Sequence, residues 1–534
     1  MDIESRPQSK IDAGVNGAFQ TPDWLQKRAE LSPQRVALID TLDQDRPITY
    51  AEWNRKANRT AHFLRESLGV RRGDLVAVLA KNSVEYLDIW FALAKVGGIL
   101  QTLNWRLTPH DIAALLDDAP PVALIYDGSR GNSQLISQTI QALRGLIPDS
   151  IKLVSMDEPL APEDLSLTLR ENYPDTRPSS PSLSLEDPWV ICYTGGTTGL
   201  PKGAILSYRA ITANAVNTII SWELSSSDVT ILNSPLFHSG GLNVFTAPLV
   251  YAGGTSIVCQ EFDLEQTFDL LNSGRVTIWF GVPTMYVMMQ NHPRWESSDF
   301  SHLKILISGG APCPLPVFER FWAKGVDFKT GYGLTEAGPN TFWLPADQVR
   351  QKPGAVGYPL FHVEVRLAGG RDQILGPGEV GELLIRGPHL FSGYWNNPLA
   401  TSAVWREGWL HTGDLASRDQ EGCYHIMGRL KDMIISGGEN IYPSEIENVL
   451  HARPDVVEAA VIGIPDDKWG EVGWAIIVIR PEAALSEDDL ADYCRGRLAR
   501  YKIPKRFIIT DQQLPKTGAN KVDKKSLIEA YGKS

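Results

Sequence analysis

The sequence is short of the residues that would place it outside a reducing compartment. Five cysteines occur in 534 residues, at positions 192, 259, 313, 423 and 494. They are scattered, with no CxxC pair and no Cys/His cluster at metal-ligand spacing, so neither a disulfide scaffold nor a zinc module is indicated. A cytoplasmic setting fits that pattern. No apolar run reaches the ~18 residues that a membrane-spanning helix needs, so no membrane span is expected. The opening stretch, MDIESRPQSKIDAGVNG, is polar and has no apolar core of a secretory signal. Positive charge is the minority: 51 Lys and Arg stand against 63 Asp and Glu, a net charge of −12. A general nucleic-acid binder needs a basic face to neutralise phosphate, so that class is set aside. Small anions, held by local sites, are not.

What is present is ordinary for a folded enzyme, with 43% hydrophobic and 21% charged residues. At about 100–200 residues per domain, the length predicts several domains or subdomains. Residues 1–18 read as a loose N-terminal arm. TPDWLQKRAELSPQRVALI predicts a helix and then a strand, and Tyr50–Leu68 a second helix. Residues 74–80 and 121–127 are short apolar strands around a buried helix at 83–100. Further strands are expected at 277–283 and 303–312. Alternating strands and helices imply parallel sheets with crossover helices. The Pro/Ser-rich stretch 174–187 reads as a surface loop. From about 354 to 425, short alternating strands and Gly/Pro turns predict a β-rich part. The last hundred residues predict two helices and three strands, an α+β unit. The expected fold is therefore α/β: a large N-terminal domain (19–430) of two parallel-sheet subdomains plus a β-rich one, and a small mobile C-terminal α+β domain (431–534).

The most glycine-dense polar stretch follows a buried strand and runs Tyr193-Thr194-Gly195-Gly196-Thr197-Thr198-Gly199-Leu200-Pro201-Lys202-Gly203. Glycines let the backbone curl and aim N–H groups at an anion. Threonine hydroxyls can bond phosphate oxygens or a metal, and Lys202 adds charge. Because Pro201 precedes the lysine and Gly203 follows it, this is not a Walker A loop.

Beyond it, motifs follow in a fixed order: Pro235-Leu236-Phe237-His238-Ser239-Gly240-Gly241, Ser308-Gly309-Gly310-Ala311-Pro312 and Tyr332-Gly333-Leu334-Thr335-Glu336. After these come Trp409-Leu410-His411-Thr412-Gly413-Asp414, Gly428-Arg429-Leu430-Lys431-Asp432, Ser436-Gly437-Gly438-Glu439-Asn440, and Leu514-Pro515-Lys516-Thr517 with Lys521. In this order they resemble the adenylate-forming superfamily of acyl-CoA synthetases, non-ribosomal adenylation domains and beetle luciferases, over nearly the whole chain. The texture is nearest to fatty-acyl-CoA and aryl-CoA ligases.

That resemblance implies an AMP-forming acid–thiol ligase with ATP, Mg2+ and coenzyme A. It would convert a carboxylic acid to an acyl-adenylate with release of pyrophosphate, then pass the acyl group to coenzyme A. ATP and AMP would be held by Thr194, Gly195, Gly196, Thr197, Thr198, Gly199, Lys202, Gly310, Ala311, Pro312, Tyr332, Gly333, Asp414 and Arg429. Asp414, acceptor-only as a carboxylate, suits the ribose hydroxyls. Glu336 and Thr198 would bind the metal. Lys521, His238 and Thr335 form the implied catalytic group, with Lys521 meeting the substrate carboxylate and α-phosphate. Asn520 precedes Lys521 where the family commonly has glycine; asparagine is the next most tolerant of positive φ. Lys431 is the implied hinge, and Gly437, Gly438 and Trp469 the implied coenzyme A contacts. The acyl pocket would be lined by His238, Trp279, Gly309, Gly338 and Pro339, with Gly338 leaving room for a medium-sized aryl or alkyl acid. The residues alone leave other readings open: an amine acceptor, a carrier-protein phosphopantetheine, or a non-catalytic nucleotide-binding module. Assembly as a homodimer is compatible with all of them.

Overall fold

The protein is described from a computed structural model covering residues 23–128, 133–195, 201–370, 373–480, 483–516 and 522–532. Local sequence signals explain where its helices begin. Thr49 caps the helix Tyr50–Glu66 and Glu52 reaches back to it, a reciprocal capping box. The same device opens Pro109–Asp118 through Thr108 and Asp111, and Glu487–Arg495 through Ser486 and Asp489. The buried helix Val84–Val96 stops at Gly97, which takes the left-handed conformation at φ 77°.

Two seven-stranded sheets form the bulk of the chain. One orders Leu165–Ser166, Lys152–Ser155, Ala123–Tyr126, Leu75–Leu79, Ile99–Thr102, Pro188–Thr194 and Lys202–Ser207. The other orders Lys329–Thr330, Ile305–Ser308, Ile278–Gly281, Val229–Leu232, Thr255–Val258, Val36–Asp40 and Arg46–Thr49. Each sheet is parallel except at one edge, where the last pair is antiparallel. Parallel strands need crossover helices, which bury both faces. Trp53, Trp90 and Trp189 accordingly sit fully buried in a shared core with Phe63, Phe91 and Tyr208. The glycine-rich loop follows Thr194, and the chain resumes at Lys202 as an antiparallel strand rather than as a helix.

A third, antiparallel sheet joins Glu364–Ala368, Val380–Arg386, Trp405–Arg406, Trp409–Arg418 and Tyr424–Arg429. A fourth carries Ile434–Ser436, Glu439–Ile441, Val456–Asp466, Gly470–Ile479 and Arg506–Thr510. Strand alternation splits its side chains between two small cores. Val461, Ala475 and Ile477 pack with helices Pro443–His451 and Glu487–Arg495, while Ile462, Ile464 and Ile476 pack with Leu527 of helix Lys524–Tyr531. The fold is thus α/β with a β-rich sheet and a separate small α+β unit. The expected strands at 277–283 and 303–312 are present as Ile278–Gly281 and Ile305–Ser308. Among the described residues, no helix is long and apolar enough to cross a membrane.

Candidate active site

The carboxyl ends of parallel strands, where loops leave a sheet, are the usual ligand crevice of such folds. Here Ile305–Ser308 and Lys329–Thr330 are parallel neighbours with Ser308 opposite Thr330. Gly309–Pro312 and Gly331–Gly333 therefore leave the sheet side by side. Gly310 requires its glycine, standing at φ +81°. So does Gly333, where a Cβ would lie 2.2 Å from the Pro339 carbonyl oxygen. That close approach folds Thr335–Ala337 into a single 3₁₀ turn and presents Glu336.

Glu336 is held by neutral hydroxyls. Thr194 Oγ1, at the end of the first hairpin strand, donates to Glu336 Oε1 at 3.4 Å, and Tyr394 OH donates to the same oxygen at 2.7 Å. Tyr394 was not foreseen from the sequence. It arrives because residues 392–395 pair antiparallel with residues 203–205 through Ser392, Gly393 and Trp395 backbone bonds, so the loop rides on the edge of the hairpin. Burial, reinforced by the Glu336 charge, pushes the Tyr394 phenol well above its ordinary range and keeps it a donor. Lys202 Nζ lies 5.2 Å over the Tyr394 ring. Gly195 is exposed with open space at its Cβ position. Gly196, Thr197, Thr198, Gly199 and Lys521 lie outside the described residues. The Lys516–Val522 bridge brings together the two chain segments flanking Lys521.

Asp414 is buried at 5% exposure on Trp409–Arg418, directly opposite Arg429 in the antiparallel ladder. Tyr332 OH donates to its Oδ2 at 2.6 Å, and Arg429 Nε pairs with its Oδ1 at 3.0 Å. Tyr332, Asp414 and Arg429 are thus one connected group. A carboxylate has about four lone-pair sites, so Asp414 can accept further hydroxyls while keeping both partners.

His238 occupies the N-cap position of the short helix Ser239–Asn243 without a side-chain capping bond, its ring 4.5 Å from that of Phe237. Thr102 Oγ1 donates to the Phe237 carbonyl at 3.0 Å. Thr335 meets the same helix, with its hydroxyl 3.3 Å from that of Ser239. Gly309 and Gly240 flank Phe280: a Cβ at Gly309 would lie 2.9 Å from the Phe280 ring and one at Gly240 3.5 Å. Phe280, not Trp279, is the side chain on this face. Trp279 is fully buried on the opposite face of its strand, packed on Tyr286, with its Nε1 donating to Asn233 Oδ1. The alternation of a strand enforces that split, because successive side chains point to opposite faces.

The expected coenzyme A residues also come together. Gly437 and Gly438 form the turn between Ile434–Ser436 and Glu439–Ile441, at φ +60° and +88°. Gly437 N–H donates to the Trp469 carbonyl at 2.7 Å, and its Cα abuts the Trp469 ring. Lys431 is exposed in the 3₁₀ turn Leu430–Asp432 that joins the third sheet to the fourth. Ser444 Oγ donates to the Met427 carbonyl, and helix Pro443–His451 packs on Tyr424–Arg429.

One further convergence arises from a hairpin turn. Ligand atoms of Asp419, Cys423 and His425 lie within 4.8 Å of one another. Asp419 is already committed there, with Oδ1 accepting the Glu421 and Cys423 N–H groups and Oδ2 paired with Lys352. The group reads as turn structure.

Comparison with known proteins agrees with this geometry. The family described as AMP-binding enzyme matches residues 25–395, and its C-terminal domain matches 445–521. A feruloyl-CoA synthase from Amycolatopsis sp is 39% identical, covering 95% of this chain and 98% of that protein. An indoleacetate–CoA ligase from Aromatoleum aromaticum is 38% identical, covering 95% and 97%. The crystal structure of ATP-bound MatB from Rhodopseudomonas palustris superposes with a TM-score of 0.86 at 32% identity, covering 96% of this chain and 99% of the other.

Proposed function

We propose a division of labour among these residues from one premise: the chain belongs to the AMP-binding enzyme family. It is an ATP-dependent CoA ligase of the AMP-forming acid–thiol class, which adenylates a carboxylic acid and transfers the acyl group to coenzyme A. In the first step a carboxylate oxygen attacks the α-phosphorus of ATP, the bond to the bridging oxygen breaks, and pyrophosphate leaves. In the second, the coenzyme A sulfur attacks the acyl carbon, the bond to the AMP oxygen breaks, AMP leaves, and the thiol proton is lost to solvent.

Phosphoryl chemistry of this kind is mostly positioning and charge neutralisation. The observation that carries our assignment is the Thr194–Glu336–Tyr394 cluster beside Lys202. It sets a cation, hydroxyls and a carboxylate with no ion pair among the described residues at the end of the glycine-rich hairpin. Hard oxygen donors of this type suit Mg2+. Glu336, with Thr198, would hold the ion, which supplies charge neutralisation of the phosphates. Lys202 and the Thr194–Thr198 segment bind phosphate, and Asp414 accepts from the ribose hydroxyls between Tyr332 and Arg429. Tyr332 and Gly310–Pro312 flank the adenine. Lys521 meets the carboxylate and α-phosphate, with Thr335 and His238 completing the catalytic group; His238 gates the acyl pocket. Lys431 is the hinge about which the small unit turns, exchanging Lys521 for Gly437, Gly438 and Trp469 on the pantetheine arm. The acid is aryl or alkyl, lying along Phe280 and the glycines at 240, 309 and 338, with Pro339 at its wall. We assign the reaction to the cytoplasm, a reading supported by the described cysteines, which are all free, four of them buried, as suits a reducing compartment.

Pyrophosphate release tests the reading. An acid plus ATP and Mg2+ should release pyrophosphate without coenzyme A, and adding coenzyme A should accelerate AMP release. Failure of every aryl and alkyl acid to release pyrophosphate would sink it.

A further inference from the structure

Behind Gly338, one of the residues proposed for the acyl pocket, lies a buried polar cluster. Asn214 of helix Tyr208–Ser221, Asn243 and Asn340 are each 2% exposed and form one cluster. Asn214 Nδ2 donates to the Asn243 carbonyl at 2.8 Å. Asn340 Nδ2 is shared among Thr218 Oγ1 at 2.9 Å, the Val244 carbonyl at 3.0 Å and the Asn243 carbonyl at 3.4 Å. Those bonds fix both amides, since a flip would aim an oxygen at carbonyl oxygens. Among the described residues, Asn214 Oδ1 and Asn243 Oδ1 are buried with no hydrogen-bond partner. Native proteins seldom leave a buried amide oxygen unpaired, because the desolvation is uncompensated.

Asn214 Oδ1 also packs against Gly338, one of the residues proposed for the acyl pocket. A Cβ at Gly338 would lie 2.8 Å from it, and Gly338 stands at φ +67°. Any side chain at 338 would cover that oxygen. The short helix Ser239–Asn243 sets the order of parts. Ser239 touches Thr335 beside Glu336, Gly240 faces Phe280, and Asn243 holds Asn214 and Asn340. At about 1.5 Å per residue the helix advances about 6 Å from Ser239 to Asn243, the scale of one aromatic ring. Thr335, Phe280 and the asparagine cluster therefore lie in sequence along this helix.

Resting on the reaction proposed above, we infer that the acid is aromatic and carries a hydrogen-bond donor, a hydroxyl or ring N–H, on the side of the ring away from its carboxylate, and that Asn214 Oδ1 receives it. The cluster offers acceptors, since the Asn214 and Asn340 amide N–H groups bond protein atoms. A second carboxylate, acceptor-only, would meet oxygen against oxygen.

The test is a substrate ratio in the unmodified enzyme, read as pyrophosphate release. para-Hydroxycinnamate should exceed both cinnamate and para-methoxycinnamate in kcat/KM by about 10- to 100-fold, the discrimination expected when a buried acceptor loses its donor. Asn214→Ala and Gly338→Ala, the first removing the oxygen and the second covering it, should each bring the ratio to about 1. Circular dichroism confirms that both variants are folded; the ratio in the unmodified enzyme stands without them. A ratio near 1 in that enzyme, with pyrophosphate still released, assigns Asn214 to a resident water and overturns the inference while leaving the ligase reading intact. Preference for decanoate over all three aromatic acids overturns it in the same way. No pyrophosphate with any acid removes both readings.

Discussion

Gly437 and Gly438 offer a matched pair of perturbations. Both occupy the left-handed region, at φ +60° and +88°, where alanine costs about 1–2 kcal/mol more than glycine. They differ in what a methyl group would meet. At Gly438 nothing lies within 4 Å of the Cβ position. At Gly437 the Cβ would fall 2.8 Å from Cε3 and 3.1 Å from Cζ3 of Trp469. The backbone cannot back away without breaking the 2.7 Å bond from Gly437 N–H to the Trp469 carbonyl, so the ring must turn. Trp469 is 41% exposed, with the Lys468 ammonium 5.0 Å from its ring, and has room to do so. Gly438→Ala should therefore add backbone strain alone. Gly437→Ala should add the same strain and displace the aromatic surface proposed for pantetheine. An aromatic contact is worth about 0.5–1.5 kcal/mol, so KM for coenzyme A should rise by up to about tenfold more in the Gly437 variant. Single-turnover experiments separate the steps, with pyrophosphate release for adenylation and thioester formation from supplied acyl-adenylate for transfer. Equal KM values for coenzyme A in the two variants would remove Trp469 from the pantetheine path. A loss of adenylation matching the loss of transfer would refute the assignment of this turn to the second step.

Glu336→Gln should slow adenylation by about 10²–10³-fold, the cost of removing one electrostatic stabiliser, and raise the Mg2+ requirement in a pyrophosphate assay; unchanged turnover at limiting Mg2+ would refute the metal role. Arg170→Met strands Asp88, which is fully buried and paired with Arg170 at 2.7 Å, so thermal unfolding should show a loss of about 3–5 kcal/mol that the double variant with Asp88→Leu largely restores. His389 is buried with neither ring nitrogen partnered among the described residues, and burial with Arg209 nearby holds its pKa at about 4 against an ordinary 6.5. The unfolded chain then binds the proton first on acidification, so stability falls as pH drops from 6.5 toward 4, by about 3 kcal/mol in all, and His389→Phe should flatten that slope in pH-dependent denaturation.

The contrast between Trp279 and Phe280 shows where sequence reading stops. In Ile278–Gly281 both faces are covered, so the strand reads as a continuous apolar run and carries no mark of which residue faces the pocket. Only the glycines opposite, 240 and 309, betray Phe280, and they become neighbours through folding alone. Tyr394 was hidden for the same reason, since its place depends on pairing with residues 203–205 far earlier in the chain. Legible features were local ones. The apolar spacing of Tyr50–Leu68 predicted a helix, present as Tyr50–Glu66, and Asp414 and Arg429 were both picked out by motif, although nothing in the sequence said that they stand opposite each other in one ladder. The small unit was readable because its two long strands, packed between two cores, stand out as near-continuous apolar runs at 456–464 and 473–479.

The way this fold treats its carboxylates separates structure from chemistry. Asp88 is held by Arg170, Asp23 by Lys95 and Asp419 by Lys352, each pair closing its charge within the protein. Glu336 differs. Thr194 and Tyr394 fix its orientation with hydroxyls, and no ion pair to it occurs among the described residues. Neutral donors orient the carboxylate without cancelling its charge. An anionic group so oriented, a few side chains from Lys202 and the glycine-rich loop, is an incomplete electrostatic arrangement that a phosphate-bound cation would complete. The same logic explains why a tyrosine, and not a lysine, occupies position 394. A lysine there would neutralise Glu336 and compete with the metal. Tyr394→Lys should therefore impair adenylation and shift the Mg2+ requirement upward, whereas Tyr394→Phe, which keeps the ring under Lys202 and loses only one hydrogen bond, should cost about tenfold or less. Measured Mg2+ dependence that is identical in the two variants would show that the charge of Glu336 is not what the site uses.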